Sequence, residues 1–546
     1  MAKSCREQRP EGGEHLFIDA REVPENTIIE AEVCIVGAGA AGITLAREFA
    51  GESFRVCLLE SGGLELDKET QSLSEGETVG LPYYPLHTAR LRYFGGTTNH
   101  WGGWCRPLDE IDFERRDWVP HSGWPFPKAH LDPFYERAQP LCQLGPFAYD
   151  AEAWEDRKER PRLPLAGDRV ITRMWQIGPP TRFGAEYRNV LARAANIRTY
   201  LNANVVEIEA TQTAQRVTRV GVACLQGSTF WVAANLIILA AGGIENPRLL
   251  MLSNAVQRTG LGNQHDLVGR FFMEHPQLWS GPLLLSDAAF PMTLYALHTV
   301  KKTAVAGCVA LAEEVQRREE LLNACVLLEP QPLGAGAAPG AAAVPGFPSQ
   351  TIRRGGFPDD FETHLDRVIA DIGTVALAAN RNMQRPPARA FRLLLRPEPS
   401  PNPESRVTLA SVRDRLGKRR ARLLWQLHDW DQRSLSRTQE IVAQEVGRAG
   451  LGRLRVTRDD DETAPASPRE KVPWTGLQGS YHHMGTTSMH VDPKQGVVDG
   501  NCRVHGVSNL FIAGSSVFPT AGYANPTLTI VALAVRLADH VKALIK

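Results

Sequence analysis

From Ile28 the apolar and polar positions sort into a strand, a tight turn, a helix and a second strand, in the runs IIEAEVCIVGAGAAG, ITLAREFAG and FRVCLLE. That order predicts a βαβ opening. Gly37, Gly39 and Gly42 form G-x-G-x-x-G around Ala40 and Ala41, directly after the apolar run Val33–Val36. In such a motif the turn tolerates no Cβ, a pyrophosphate needs close backbone approach, and the helix must pack on the strand. Phosphate charge then meets the helix N-terminus. Glu60 closes the second strand 18 residues after Gly42, near the roughly 20 expected of an acid that accepts hydrogen bonds from ribose hydroxyls. The motif predicts a dinucleotide site and leaves NAD and FAD both open.

Further along, NLIILAAGGIENPRLLMLS reads as a buried strand entering Gly242-Gly243 and a helix with Pro247 in its first turn. RVTLASVRDRLGKRRARLLWQL reads as two strands around a turn at Asp414 to Lys418, whose charges suit a solvated hairpin tip. Ile530, Leu533 and Leu537 give the last segment the pattern of a buried helix beginning around Asn525 to Thr529. Between 91 and 107, LRYFGGTTNHWGGWCRP clusters Gly95, Gly96, Gly102 and Gly103 around Asn99, His100 and Trp101. The cluster suits either a backbone pressed against something flat or a turn packed on Trp101 and Trp104. Residues 329–348 are rich in Gly, Ala and Pro and too poor in large apolar residues for a core, which fits a lid or a functionless insertion.

Length and charge narrow the function. A chain of 546 residues suits a two-domain enzyme with a cleft. Lys plus Arg and Asp plus Glu both number 61, so no global field draws nucleic acid or an anionic membrane, and a small-molecule substrate is expected. The nine cysteines include no Cys-x-x-Cys pair, which argues against structural disulfides and a covalent haem. His, Asp and Glu show no metal-ligand spacing, so no metal is expected. The N-terminus is polar, and no stretch reaches the roughly 18 apolar residues of a spanning helix, so a soluble, cytoplasmic protein is expected.

The densest signal lies between 479 and 535, in GSYHHMGTTSM and GVVDGNCRVHGVSNLFIAGSSVFPTAGYANPTLTIVALAV. With GAGAAG, the GG-x-x-x-HW segment, AAGGIENPRLL and PNPESRVTL, these runs resemble the glucose-methanol-choline (GMC) family of flavoprotein oxidoreductases, in its pyranose oxidase and bacterial sugar dehydrogenase branch. The resemblance implies a mixed α/β fold: a Rossmann-like FAD-binding domain from 27–130, 196–275 and 476–546, and a substrate-binding domain on an antiparallel sheet from 131–195 and 276–475. It implies FAD as cofactor, with Ser61, Thr97, Val206, Ala241, Gly242, Gly514, Ser515, Pro526 and Thr527 joining the glycine motifs, Glu60, Asn99, His100 and Trp101 around it. Attachment is expected to be non-covalent, with a histidyl link at His100 the alternative.

The same resemblance assigns His482 as catalytic base and Asn525 as its partner, while adjacent His483 is expected to turn away. His490 and His505 are expected to be structural. The chemistry suits these residue types. An unactivated hydroxyl holds its proton far above neutral pH, so hydride departure needs a base, and neutral imidazole serves. The Asn amide nitrogen donates to the substrate oxygen as charge develops. The implied activity is oxidation of a CH–OH group of a sugar, glycoside or other alcohol, passing electrons to oxygen or an external acceptor. A lyase with structural FAD, or action on a sterol or aliphatic alcohol, is the alternative.

Overall fold

The computed structural model describes residues 17–179, 181–331, 390–456 and 477–545. The βαβ opening forms as the pattern predicts, with strands Ile28–Val36 and Val56–Leu59 flanking the helix Ala40–Phe49. Val33–Val36 pairs in parallel with Val56–Leu59 on one side and with Leu236–Leu239 on the other. Parallel strands covered on both faces need apolar side chains in both directions, which is why this run does not alternate.

Outward from Val56–Leu59 the same sheet adds Ile197–Leu201 and Phe17–Asp19, again parallel. On the other flank the long strand Thr229–Leu239 carries two partners. Its first half pairs antiparallel with Val217–Ala223, which leads to Asn204–Ala210. Its second half pairs in parallel with Leu510–Ile512, contributed from near the far end of the chain. Val36, Leu59, Leu239 and Ile512 therefore end at one edge, the crevice where such sheets bind ligands. The helix Thr527–Ile545 packs on Ala40–Phe49 and Lys128–Leu141.

A second eight-stranded sheet is antiparallel throughout, with Leu278–Leu285, Ala390–Pro397, Ala324–Gln331, Thr303–Leu311 and Val170–Ile177 at its centre. The helix Asp429–Arg448 buries Leu435, Ile441, Val442 and Val446 in that sheet's core.

The sheets depart from the expected domain boundaries in two places. Trp104–Cys105 pairs with Val170–Ile177 in the second sheet. The hairpin Arg406–Arg413 and Arg419–Trp425 forms as expected, yet its second strand joins Gly76–Gly80 in a separate three-stranded sheet on the nucleotide side. Arg248 explains the second departure, donating to the Arg419 carbonyl and pairing with Asp414 at 2.6 Å. Asp414 is consequently buried, while Arg415 and Gly417 stay exposed, so the tip is solvated as expected apart from this one ion-paired joint. The Gly/Ala/Pro-rich stretch lies outside the described residues from 332 onward; its first three residues end the strand Ala324–Gln331. No described helix is long and apolar enough to cross a membrane.

Candidate active site

A cavity of about 1220 Å³ opens at the carboxyl edge of the parallel sheet and runs beneath the second sheet. The three motif glycines meet different surroundings there. Gly37 has φ +104°, and a Cβ would lie 2.7 Å from the Ala240 carbonyl. At Gly42 a Cβ would lie 1.8 Å from the Gly37 carbonyl, and this residue serves helix-to-turn packing, away from the cavity wall. Gly39 faces open cavity, with nothing within 4 Å of an added Cβ, as do Gly242 and Gly514. Bare backbone at three strand ends is the cradle a dinucleotide needs, so the chain fits FAD.

Glu60 stands at the same edge. One carboxylate oxygen accepts from the Ala38 amide at 2.8 Å and the other from the Gly62 amide at 2.9 Å, while burial pushes its pKa up. Ala40, Ala41, Ser61, Ala241, Ser515, Pro526 and Thr527 line the cavity beside it. Val206 does not; it falls at the register shift between Val205 and Glu207, and it is Val205 that lines the cavity.

The second glycine cluster packs directly on the first. The Gly95 amide donates to the Ala38 carbonyl, and a Cβ on Gly96 would lie 3.1 Å from the Gly39 Cα. Gly96, Thr97, His100, Trp101 and Gly102 line the cavity. Gly95 and Asn99 lie behind it instead, since the Asn99 side-chain amide donates to the Phe94 carbonyl and braces the turn.

His482 and Asn525 both line the cavity. Asn525 accepts at Oδ1 from Arg396, 2.7 Å away, and a guanidinium has only donors, so the amide's Nδ2 is left to donate. His482 stands 2.8 Å from His275, Nδ1 to Nδ1, and His275 Nε2 is 2.7 Å from the Gly522 carbonyl. The expectation that His483 turns away is not met, for it lines the cavity too. Tyr481, at φ +63°, breaks the alternation an extended strand would impose. The rings nevertheless serve different ends. His483 Nε2 meets the Tyr83 hydroxyl, and after burial the charges lowering its pKa are those of Arg90 and His100. His482 is lowered well below 6.5 by burial, then by His275 and Arg396, the residue that holds Asn525.

Glu274 clamps the turn between them. Its carboxylate accepts from the Ser480 and His482 amides at 3.0 Å and from the Tyr83 hydroxyl, and burial pushes its pKa up to about 7. His505 Nε2 bonds the His490 carbonyl, a structural contact away from the cavity. Tyr83, Glu274, His275 and Arg396 belong to none of the motifs that mark the site. The one trace in the sequence is the acid-histidine pair Glu274-His275 directly after the apolar run Phe271–Met273, two titratable residues where a core segment is expected.

Residues 401–534 match the family model described as GMC oxidoreductase, and residues 32–259 match that described as FAD dependent oxidoreductase. Its C-terminal part thus carries a GMC oxidoreductase domain, behind an FAD-dependent oxidoreductase domain. Among proteins similar to it, the fructose dehydrogenase large subunit of Gluconobacter japonicus is 23% identical, over 94% of this chain and 98% of that one. The 2-methyl-1,2-propanediol dehydrogenase of Mycolicibacterium austroafricanum is 22% identical, over 94% and 95%. The crystal structure of formate oxidase shares the fold with a TM-score of 0.56 at 15% identity, covering 96% of this chain and 99% of that one. The chain is thus an FAD-dependent oxidoreductase.

Proposed function

We propose that the enzyme oxidises a CH–OH group of a sugar or related polyol to a carbonyl, with His482 as proton acceptor and Asn525 as donor to the substrate oxygen. The observation that carries this is the opposite polarity of the pair at one cavity wall. Arg396 occupies Asn525 Oδ1, leaving an N–H to meet developing alkoxide charge, while burial keeps His482 neutral, the form that takes a proton. Bound FAD supplies the acceptor for the hydride.

Beyond the pair, the lining beneath the second sheet supports a hydroxyl-rich substrate. Trp279 offers an apolar face, backed by Arg392 at 4.4 Å from its ring centre, and Gln277, Thr299 and Glu329 offer polar groups. The similarity to a fructose dehydrogenase agrees with that class. We further propose that FAD is held without a covalent bond; flavin remaining with acid-precipitated protein would instead implicate His100.

An anaerobic flavin-reduction screen with monosaccharides, glycosides, sterols and aliphatic alcohols tests the proposal. Bleaching by sugars or glycosides is the expected outcome. Bleaching by sterols or aliphatic alcohols alone would overturn the substrate class, and persistent colour with every donor would favour a lyase. Peroxide yield against reduction of an artificial acceptor separates oxidase from dehydrogenase.

A further inference from the structure

We propose that His275 is a positioning residue that fixes the proton of His482 on Nδ1, so that Nε2 is its basic atom; this rests on the reading of His482 as base. The assignment follows from the hydrogen bonds in turn. The Gly522 carbonyl only accepts, so His275 Nε2, 2.7 Å away, carries a proton. A neutral imidazole has one N–H, which leaves His275 Nδ1 as a bare lone pair. That atom lies 2.8 Å from His482 Nδ1, which must therefore donate, and the neutral His482 ring is left with its lone pair on Nε2.

The argument requires both rings to be neutral, and their surroundings keep them so. Burial and the cation of Arg396 hold His275 down to about 3. The groups facing the pair are Arg396 from the strand Ala390–Pro397, His483, and Glu274, whose carboxylate is taken up by Tyr83 and the backbone amides of Ser480 and His482. Among the described residues no carboxylate bonds either ring to favour an imidazolium.

The reference point is itself rigid. Gly522 adopts φ +51°, and a Cβ there would lie 2.3 Å from the buried Asp112 carboxyl, so the residue whose carbonyl orders the chain has no room for a side chain. Asn525 follows three residues later in the same turn. The turn thereby sets the polarity of His482 through His275, while Arg396 from the second sheet sets that of Asn525.

Nitrogen NMR of the FAD-loaded enzyme, labelled at histidine nitrogens and assigned with His482→Gln, reads the tautomer without turnover. A protonated Nδ1 and bare Nε2 on His482 are expected; the reverse overturns the proposal. His275→Leu should lower the rate of flavin reduction about 10- to 100-fold, the range seen when a supporting partner is removed from a metal-bound histidine. It should also shift the tautomer signal, whereas His275→Asn, whose amide oxygen can replace the acceptor, should recover most of both. A leucine variant that binds FAD and matches the parent in rate and tautomer overturns the proposal. The base assignment fails separately, if His482→Ala reduces flavin at the parental rate while the tautomer in the parent stands as expected.

Discussion

At the scale of single residues, a methyl group has opposite meanings within one motif. Gly39→Ala places it in open cavity at an ordinary backbone conformation, so the flavin-free protein should keep its stability while losing FAD. Gly42→Ala drives it into the Gly37 carbonyl and should destabilise the fold by about 1–3 kcal/mol or more. Flavin content beside the Tm of flavin-stripped protein distinguishes the two, and a stable, flavin-replete Gly39→Ala would contradict the cradle. His482→Ala should retain FAD and lose about 10²- to 10⁴-fold in reductive rate, the span of general base catalysis. Stopped-flow reduction by a turnover substrate measures this directly. The sequence exposes these positions because each lies inside a contiguous motif. His275 and Arg396 escape it because they reach the site from the end of one segment and from the opposite sheet, with no fixed spacing to either partner.

At the scale of elements, buried ion pairs join what the strands do not. Arg116 and Glu398 are both fully buried, paired at 2.7 Å, and link the segment after the helix Glu110–Phe113 to the end of the strand Ala390–Pro397. Arg116→Leu strands a buried carboxylate and should cost about 3–5 kcal/mol. Chemical denaturation checks it, and a change below 1 kcal/mol would show the site relaxing to admit water. The hairpin around Asp414 teaches the limit of pattern. Its strands and turn are legible because alternation and turn residues are local, but the burial of Asp414 depends on Arg248, 166 positions away. Likewise Val205 and Val206 both read as strand, and the register shift beside them, which the pattern does not announce, leaves Val205 on the cavity.

At the scale of the molecule, acid should loosen the site region first. His275 and His483 are held down to about 3 and His482 well below 6.5, whereas the unfolded chain binds those protons near 6.5. Their contribution is complete above pH 6.5 and is lost as pH falls. Glu274, raised to about 7, and Asp431, raised to about 6, act in the opposite sense, since each is neutral when folded and loses its contribution as pH rises to those values. His87, His121, His130, His298 and His540 are also lowered, and Glu60, Asp112 and Glu329 also raised. Among the described residues eight groups therefore oppose five, and stability should rise from pH 4.5 to 6.5, by about 1.4 kcal/mol per pH unit for each net proton. Thermal unfolding across that range tests the sign, and a falling Tm would contradict it. The sheet order itself was legible only in part. The βαβ opening is written in one stretch, but nothing local says that Leu510–Ile512 returns to the first half's sheet.

That return has a consequence for how the enzyme is made. The strand edge that cradles the cofactor includes Gly514, so the site is incomplete until the chain has left the ribosome past that residue. At ordinary rates of synthesis the nucleotide half waits roughly tens of seconds for its last strand. During that wait the far half of Thr229–Leu239 presents an unpaired apolar edge, a temporary hazard for aggregation. Flavin loading therefore belongs after synthesis, and a chain cut short before residue 510 should be made without colour.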